Sequence, residues 1–479
     1  MDQTKELSEF EGLFLSRFGL TLTDDQQGAL AELKEFTFSD HSFPLLVLQG
    51  YAGTGKTSLL GAYVKILPAY KLKTRLLAPT GRAAKVLGNR AGKEAFTIHK
   101  QIYRRRSTTD EFSAIDIMPN LHTNTVFIVD EASMIPEHAL QNDGGISRDL
   151  LGDLLEYVYS GKNCRLILLG DKGQLPPVGS MESPALEPNY LKQVYPKLAI
   201  RSVQLSEVVR QEKESGILYN ATALRSTVFP DEYSFNFSFP DFLYVEGDEL
   251  QDRIDSEFAK YGSEECIVIT RSNKRANLYN GHIRARILWY EELLCQNDCL
   301  MVVKNNYFWL DDDSKAGFIA NGEILRVKRI RRIEEMYGFE FARILVKMED
   351  YPDEPELEVL VLVESINCEG ASVGRDRMKE LFFEIEKDYA HEKNKRKRYE
   401  LILKNEYFNA LQVKYAYAIT CHKSQGGQWS VVFIDPGFIP EDSSGESYYR
   451  WLYTAITRAT EKVYLVNFKD TKMSSNPTS

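Results

Sequence analysis

The chain has 479 residues, 43% of them hydrophobic and 27% charged; at roughly 100–200 residues per domain this predicts two to four globular domains with ample core. No apolar run approaches the ~20 residues that span a bilayer, and the N-terminus "MDQTKELSEFEG" is acidic and polar, which excludes a membrane span and a signal peptide and leads us to expect a cytoplasmic protein. The net charge of −10 counts against a surface coated in nucleic acid, but leaves room for a narrow basic channel.

The first predicted strand is "FPLLVLQ" (Phe43 to Gln49), an apolar run that leads straight into "GYAGTGKT" (Gly50 to Thr57). That segment fits G-x-x-x-x-G-K-[ST], a loop whose backbone amides cradle phosphates at a helix N-terminus. Gly53, Thr54, Gly55, Lys56, Thr57 and Ser58 are the candidate nucleotide-binding residues. The Lys56 ammonium suits the β- and γ-phosphates, and the Thr57 hydroxyl suits Mg2+. A helix over "TSLLGAYVKIL" follows, then a strand "TRLLAPT" (Thr74 to Thr80) and a helix opening at "GRAAKVLG".

The next segment, "RRRSTTDEFSAIDIMPNLHTN", has turn-forming polar residues in its middle and reads as a projecting hairpin. "TVFIVDEAS" (Thr125 to Ser133) is a third strand that ends in two carboxylates. Asp130 suits a magnesium contact, and Glu131 suits a general base on water. "CRLILLGD" (Cys164 to Asp171) is a fourth strand, followed by "GDKGQLPPVG". Gln174 reads there either as a sensor of the γ-phosphate or as part of a proline-stiffened turn. Phosphoryl transfer to water calls for an arginine from a second domain; Arg210 and Arg458 are the candidates, each equally readable as a surface arginine.

The strand pattern returns in "ECIVITRSN" (Glu265 to Asn273), "YAYAIT" (Tyr415 to Thr420), "VVFIDP" (Val431 to Pro436) and "KVYLVNF" (Lys462 to Phe468). This predicts a second parallel α/β domain without a phosphate loop of its own. An insertion separates its first two strands. About Asp298 to Glu364 is strand-rich and predicts a small barrel, and Met378, Leu381, Phe382, Ile385 and Tyr389 fall at helical spacing beyond it. The basic run Lys393 to Tyr399 reads mainly as a solvated helix face. The six cysteines are scattered, with no zinc spacing, and read as reduced thiols.

Taken in order, "LTDDQQGAL", "GYAGTGKTS", "LLAPTGRAAKVL", "TIHK", "VDEAS", "LGDKGQLPPVG", "VVRQ", "ANGE", "ITCHKSQGGQW" and "LYTAITRAT" resemble the RecD- and Dda-like branch of superfamily 1 DNA helicases, from Leu22 to about Phe468. The resemblance implies two RecA-like parallel-sheet domains with a pin hairpin inserted in the first, and an SH3-like barrel plus helical insertion in the second. It implies the divisions 1–103 and 125–204 for the first domain, 104–124 for the pin, 205–297 and 412–479 for the second domain, and 298–411 for the barrel with its helices.

For the site, it implies adenine reading by Gln26 and γ-phosphate contacts by Arg210 and Arg458. It also implies nucleic-acid contacts by Thr80, Thr97 and His99 in one domain and by Thr420, His422, Lys423 and Ser424 in the other, with Phe112 as the apolar wedge of the pin. Two positions depart from the family pattern: Gln428 replaces a glutamate and Val209 an aromatic residue. The implied activity is ATP- and Mg2+-dependent, 5′-to-3′ movement on single-stranded DNA with separation of forked duplex, by a monomeric motor in repair or recombination. A single-strand-binding protein is a possible partner in such work. The rival readings are an RNA-directed helicase, a protein-displacing translocase, and a non-catalytic nucleic-acid-binding scaffold.

Overall fold

A computed structural model describes residues 3–105, 115–136, 149–209, 215–226, 235–310, 314, 316–437 and 445–468. The chain opens with two helices, α1 (Gln3–Phe18) and α2 (Asp24–Thr37), ahead of β1 (Pro44–Gly50), α3 (Lys56–Ile66) and β2 (Lys73–Ala78). α4 (Gly81–Ala91), β3 (Ala95–Thr97) and α5 (Ile98–Ile102) follow, then an antiparallel pair, β4 (Tyr103–Arg105) and β5 (Ile115–Ile117). β6 (Thr125–Val129), β7 (Arg165–Gly170) and β8 (Ala199–Leu205) complete the first lobe.

The first sheet runs β3-β2-β6-β7-β1-β8, with every neighbouring pair parallel. β1, β6 and β7 are buried along their whole length, as expected of central strands with helices on both faces. Alternate residues serve opposite faces. Leu46, Leu48, Val126 and Ile128 meet Phe10, Phe14, Leu33 and Tyr63 from α1–α3. Leu45, Val47, Phe127 and Val129 meet Leu151 and Leu154 of the helix Leu150–Ser160. The four strands expected in this half are β1, β2, β6 and β7. The edge strands β3 and β8 escaped the sequence reading because they are short or half-polar, "AFT" and "AIRSVQL".

In the second lobe, β9 (Phe242–Val245), β10 (Cys266–Thr270), β16 (Ala418–Thr420), β17 (Trp429–Asp435) and β18 (Ala459–Val466) form a second parallel sheet, ordered β16-β10-β17-β18-β9. Between β10 and β16 lie β11 (Cys299–Val302), β12 (Ile324–Met336), β13 (Phe339–Met348), β14 (Leu357–Leu362) and β15 (Val413–Tyr415), antiparallel in the order β14-β13-β12-β11-β15. A parallel bridge between Val361 and Leu411 joins the two edges, so this sheet closes on itself as a small barrel. The architecture is thus two RecA-like parallel sheets with a barrel inserted in the second.

The expected strand Tyr415 to Thr420 is corrected: it is the end of β15 in the barrel and the whole of β16 in the parallel sheet. Buried Asn280 holds the crossing, with Nδ2 donating to the carbonyls of Tyr415 and Ala418 and Oδ1 accepting from the amides of Tyr417 and Ala418. The helix Arg375–Asp388 turns Leu381 and Ile385 onto Phe339 and Phe341 of the barrel, with Met378, Phe382 and Tyr389 at the margin of the same cluster. The basic run behind it is a helix face supplied with acids: Arg396 meets Glu400, Lys397 meets Glu392 and Arg398 meets Glu386. No described helix is long and apolar enough to cross a membrane.

Candidate nucleotide and nucleic-acid site

The loop after β1 keeps its shape through glycines. Gly53 and Gly55 sit at φ +75° and +78°, a region that other residues enter only with strain. A Cβ on Gly50 would lie 2.9 Å from the Lys56 side chain, which folds back over the loop. Lys56 Nζ donates to the carbonyls of Gly50 and, at 2.8 Å, Tyr51. Thr54 Oγ1 donates to the same Tyr51 carbonyl at 2.8 Å. Thr57 and Ser58 stand in the first turn of α3, and Thr57 Oγ1 lies 3.4 Å from an Arg90 nitrogen.

Gln26 closes a capping box on α2. Its Oε1 accepts from the Thr23 amide at 3.1 Å and its Nε2 donates to the Thr54 carbonyl at 3.1 Å. The side chain therefore ties α2 to the phosphate loop, and a purine would have to compete for the same amide. The Val209 amide donates to the Gly53 carbonyl at 3.0 Å, docking the segment before Arg210 on the loop. Arg210 itself, like Phe112, lies outside the described residues.

Asp130 and Glu131 follow β6 directly. The Asp130 amide still bonds the Leu77 carbonyl at 3.0 Å, so the carboxylate sits at the carboxyl edge of the sheet beside the phosphate loop. Glu131 takes φ +52°, a left-handed turn that redirects its side chain toward the second lobe, and its amide donates to Asp130 Oδ1 at 2.9 Å. Burial pushes both carboxyls above the ordinary carboxylate range. The opposing pull comes from the Glu131 amide first and then from Lys56, Arg90 and Arg458 at Asp130, and from Arg458 and Lys56 at Glu131.

Arg458, only 3% exposed, crosses from the second lobe to within 3.6 Å of Glu131 Oε1. Its Nε donates to the Thr454 carbonyl at 3.1 Å and one terminal nitrogen to the Gly427 carbonyl at 3.3 Å, which aims the guanidinium into the cleft. Gln174 is 5% exposed and its Oε1 has no hydrogen-bond partner among the described residues. The loop that carries it is stitched to the second lobe on both sides. The Leu175 amide donates to Thr454 Oγ1 at 2.8 Å, and the Leu175 carbonyl accepts from Gln425 Nε2 at 2.6 Å.

Tyr453 adds a link that sequence reading missed. Its hydroxyl donates to Asp171 Oδ2 at 2.7 Å and accepts from the Ala52 amide at 2.8 Å, joining the phosphate loop, the Asp171 turn and the second lobe at one oxygen. Tyr453 lies in "LYTAITRAT", the segment that also carries Arg458. Helical spacing puts Thr454 and Arg458 on one face but does not say what that face meets.

The expected nucleic-acid contacts form two groups. Thr80 and Thr97 are the N-caps of α4 and α5, their hydroxyls accepting from the Ala83 and Lys100 amides at 3.2 Å each. His99 lies between Tyr103 and Phe318, and burial pushes its pKa down to about 4, so the imidazole is neutral. In the second lobe Thr420 ends β16, His422 is exposed, and Ser424 is buried with its hydroxyl on the Cys421 carbonyl at 2.8 Å. Lys423 shares a small cavity with Asn273, Asn277, Thr420 and Lys414. Burial, then the nearby Lys414, lowers its pKa to about 8. The two groups approach each other where Gly426, at φ +72°, lets Thr80 and Ala83 come close: a Cβ there would meet Thr80 Oγ1 at 3.2 Å and the Ala83 methyl at 2.7 Å.

Comparison with known proteins matches this division of labour. Residues 21–230 match the model of an AAA domain, and residues 415–466 that of the UvrD-like helicase C-terminal domain. An uncharacterised protein of Acanthamoeba polyphaga mimivirus is 23% identical over 91% of this chain and 98% of its own length. The ATP-dependent RecD2 DNA helicase of Deinococcus radiodurans is 31% identical over 38% of this chain, and the T4 phage helicase Dda is 30% identical over 34%. These matches cover 21% and 34% of the two helicases' own lengths. A Bacteroides Pif1 helicase solved with ADP-AlF3 and single-stranded DNA overlays 94% of this chain and 92% of its own, at 16% identity and a TM-score of 0.46. With the nucleotide loop, the paired carboxylates and the second-lobe arginine in their expected order, the chain is similar to superfamily 1 helicases of the RecD- and Pif1-like branch.

Proposed function

We propose that this chain is an ATP-dependent DNA helicase, a monomeric cytoplasmic motor that moves 5′-to-3′ along one strand and splits a fork at its hairpin. The observation that carries the proposal is the approach of Arg458 to Glu131 across the cleft, 3.6 Å apart, with the phosphate loop of one lobe and the arginine of the other facing one space. A nucleotide held there touches both lobes, so its hydrolysis changes their separation. Thr80, Thr97 and His99 grip on one side and Thr420, His422 and Lys423 on the other, and alternate gripping converts that change into steps. Contacts of this kind to the phosphate backbone carry no sequence information, which suits a motor running over any strand.

Each residue then has a task. Lys56 leaves the Gly50 and Tyr51 carbonyls for the β- and γ-phosphates. Glu131 accepts the proton of the attacking water, Arg458 and Arg210 neutralise charge on the transferring phosphoryl group, and Gln174 reports its presence to the loop bonded to Gln425 and Thr454. The Thr57 hydroxyl and the Asp130 carboxylate are hard oxygen donors that fit Mg2+. When bound, Mg2+ supplies charge neutralisation on those phosphates. The division into two motor domains, pin and SH3-like barrel belongs to the same proposal, as do a role in repair or recombination and a single-strand-binding protein as partner.

The test is steady-state ATP hydrolysis without nucleic acid, with single-stranded DNA and with single-stranded RNA, using Lys56→Ala as the blank. We expect strong stimulation by DNA that Lys56→Ala abolishes. Equal or greater stimulation by RNA would replace DNA as the substrate. Basal turnover that neither polymer stimulates would overturn the motor reading.

A further inference from the structure

α4 has 11 residues, about 16 Å of helix, and the second-lobe loop "SQGGQW" lies along it. At its start, Arg82 stacks on Trp429 with its guanidinium carbon 3.9 Å from the ring centroid, and a terminal nitrogen donates to the Gln428 carbonyl at 3.0 Å. Glycine at 426 and 427 permits this approach, since a Cβ on Gly427 would lie 3.2 Å from Arg82 Cδ. In its last turn, Arg90 reaches the other way. One terminal nitrogen donates to Gln428 Oε1 at 2.7 Å, and the other lies 3.4 Å from Thr57 Oγ1 in the phosphate loop.

The chemistry of this bridge is unequal. A guanidinium fork is matched to phosphate oxygens, and 3.4 Å is a long bond to a hydroxyl. Among the described residues Arg90 has no carboxylate within ion-pair distance, although its charge is felt at Asp130. Gln428 orients the fork through a neutral amide oxygen and leaves the positive charge uncancelled. A glutamate at 428 would hold the same fork with a full opposite charge and compete with any phosphate.

We infer that Arg90 is a further phosphate-directed arginine, supplied by the nucleotide-binding lobe itself, and that its bond to Gln428 ties occupancy by the terminal phosphate to the second lobe. This rests on the proposed nucleotide-driven motor. Phosphates arriving beside Lys56 and Thr57 offer Arg90 stronger acceptors than the threonine hydroxyl. The fork then holds phosphate with one arm and Gln428 with the other, in the loop that runs back to Lys423 and Ser424. Gln428 is the positioning residue of the pair.

The experiment compares binding of ADP and of a non-hydrolysable ATP analogue, both with Mg2+, to the full chain and to Arg90→Ala, Arg90→Lys and Gln428→Glu, each checked for wild-type melting. We expect Arg90→Ala to weaken the analogue about tenfold, as loss of one charge-assisted bond does, and ADP by less than about twofold. Arg90→Lys should recover part of the difference. Gln428→Glu should also weaken the analogue selectively, and adding it to Arg90→Ala should cost nothing more. Equal losses for the two nucleotides would make Arg90 a structural link between lobes and overturn the inference, as would no loss. A wild-type chain that binds both nucleotides but is never stimulated by nucleic acid would overturn the motor reading alone, because the comparison of nucleotides does not depend on stimulation.

Discussion

At the scale of single residues, the site depends on charged groups held where water is scarce. Glu131 is pushed above the ordinary carboxylate range by burial, and a general base works only when ionised. The stimulated rate of the wild type should therefore rise with pH through a midpoint above that range. Glu131→Gln should lower the rate by ~10²–10⁴-fold and remove that limb of the profile, with nucleotide binding retained. Lys423 titrates in the opposite sense. Its pKa is lowered to about 8, so its charge is present at lower pH and lost above that value. Affinity for single-stranded DNA, measured by anisotropy at constant salt, should fall between about pH 7 and 9, and the fall should be smaller in Lys423→Ala.

At the scale of elements, the insertion is held to the second lobe by buried polar bonds as well as by apolar packing. Asp298, 0% exposed where the barrel begins, accepts from Arg284 Nε at 2.8 Å and from a second Arg284 nitrogen at 2.9 Å. It also accepts from the Cys295 amide at 2.7 Å and the Tyr417 hydroxyl at 3.1 Å. Asp298→Ala leaves the Arg284 charge buried without its partner, and should cost about 3–5 kcal/mol in urea unfolding. The helix Arg375–Asp388 depends instead on packing, and Leu381→Ala should cost about 2–5 kcal/mol by opening a cavity against Phe339 and Phe341.

At the scale of the whole molecule, the two lobes meet through oriented polar bonds and through Leu175, Tyr51 and Ala52 packed on the second lobe's apolar core. Tyr453 is central, because one hydroxyl serves Ala52, Asp171 and the second lobe. Tyr453→Phe leaves a loop amide and a buried carboxylate short of a partner, a loss of about 1–3 kcal/mol. That loss should fall on the closed arrangement. The DNA-stimulated rate should therefore drop more than the basal rate, and equal drops would show that the hydroxyl only supports the loop.

The sequence by itself determined most of the first lobe's strands and named residues that gather at its cleft. Strands buried on both faces are continuous apolar runs, and β1, β6 and β7 were legible for that reason. A phosphate loop is local in the chain, so Gly53, Lys56 and Thr57 could be read together, and Asp130 and Glu131 stood out at the end of an apolar strand. The barrel and its helices were legible as patterns of period 2 and 3.6. Edge strands β3 and β8 were not, because half-exposed residues need no such pattern.

Only the tertiary structure decided what faces what. It divided Tyr415 to Thr420 between two sheets, since a chain passing from one sheet to the next keeps strand-like residues throughout and the crossing is set by Asn280, more than a hundred positions earlier. It aimed Arg458 at Glu131, gave Tyr453 its two partners, and set Arg90 between Thr57 and Gln428. Except for Arg90 with Thr57, 33 positions apart in the same lobe, these pairings join residues hundreds of positions apart, and arise only when the faces of two separately formed sheets meet.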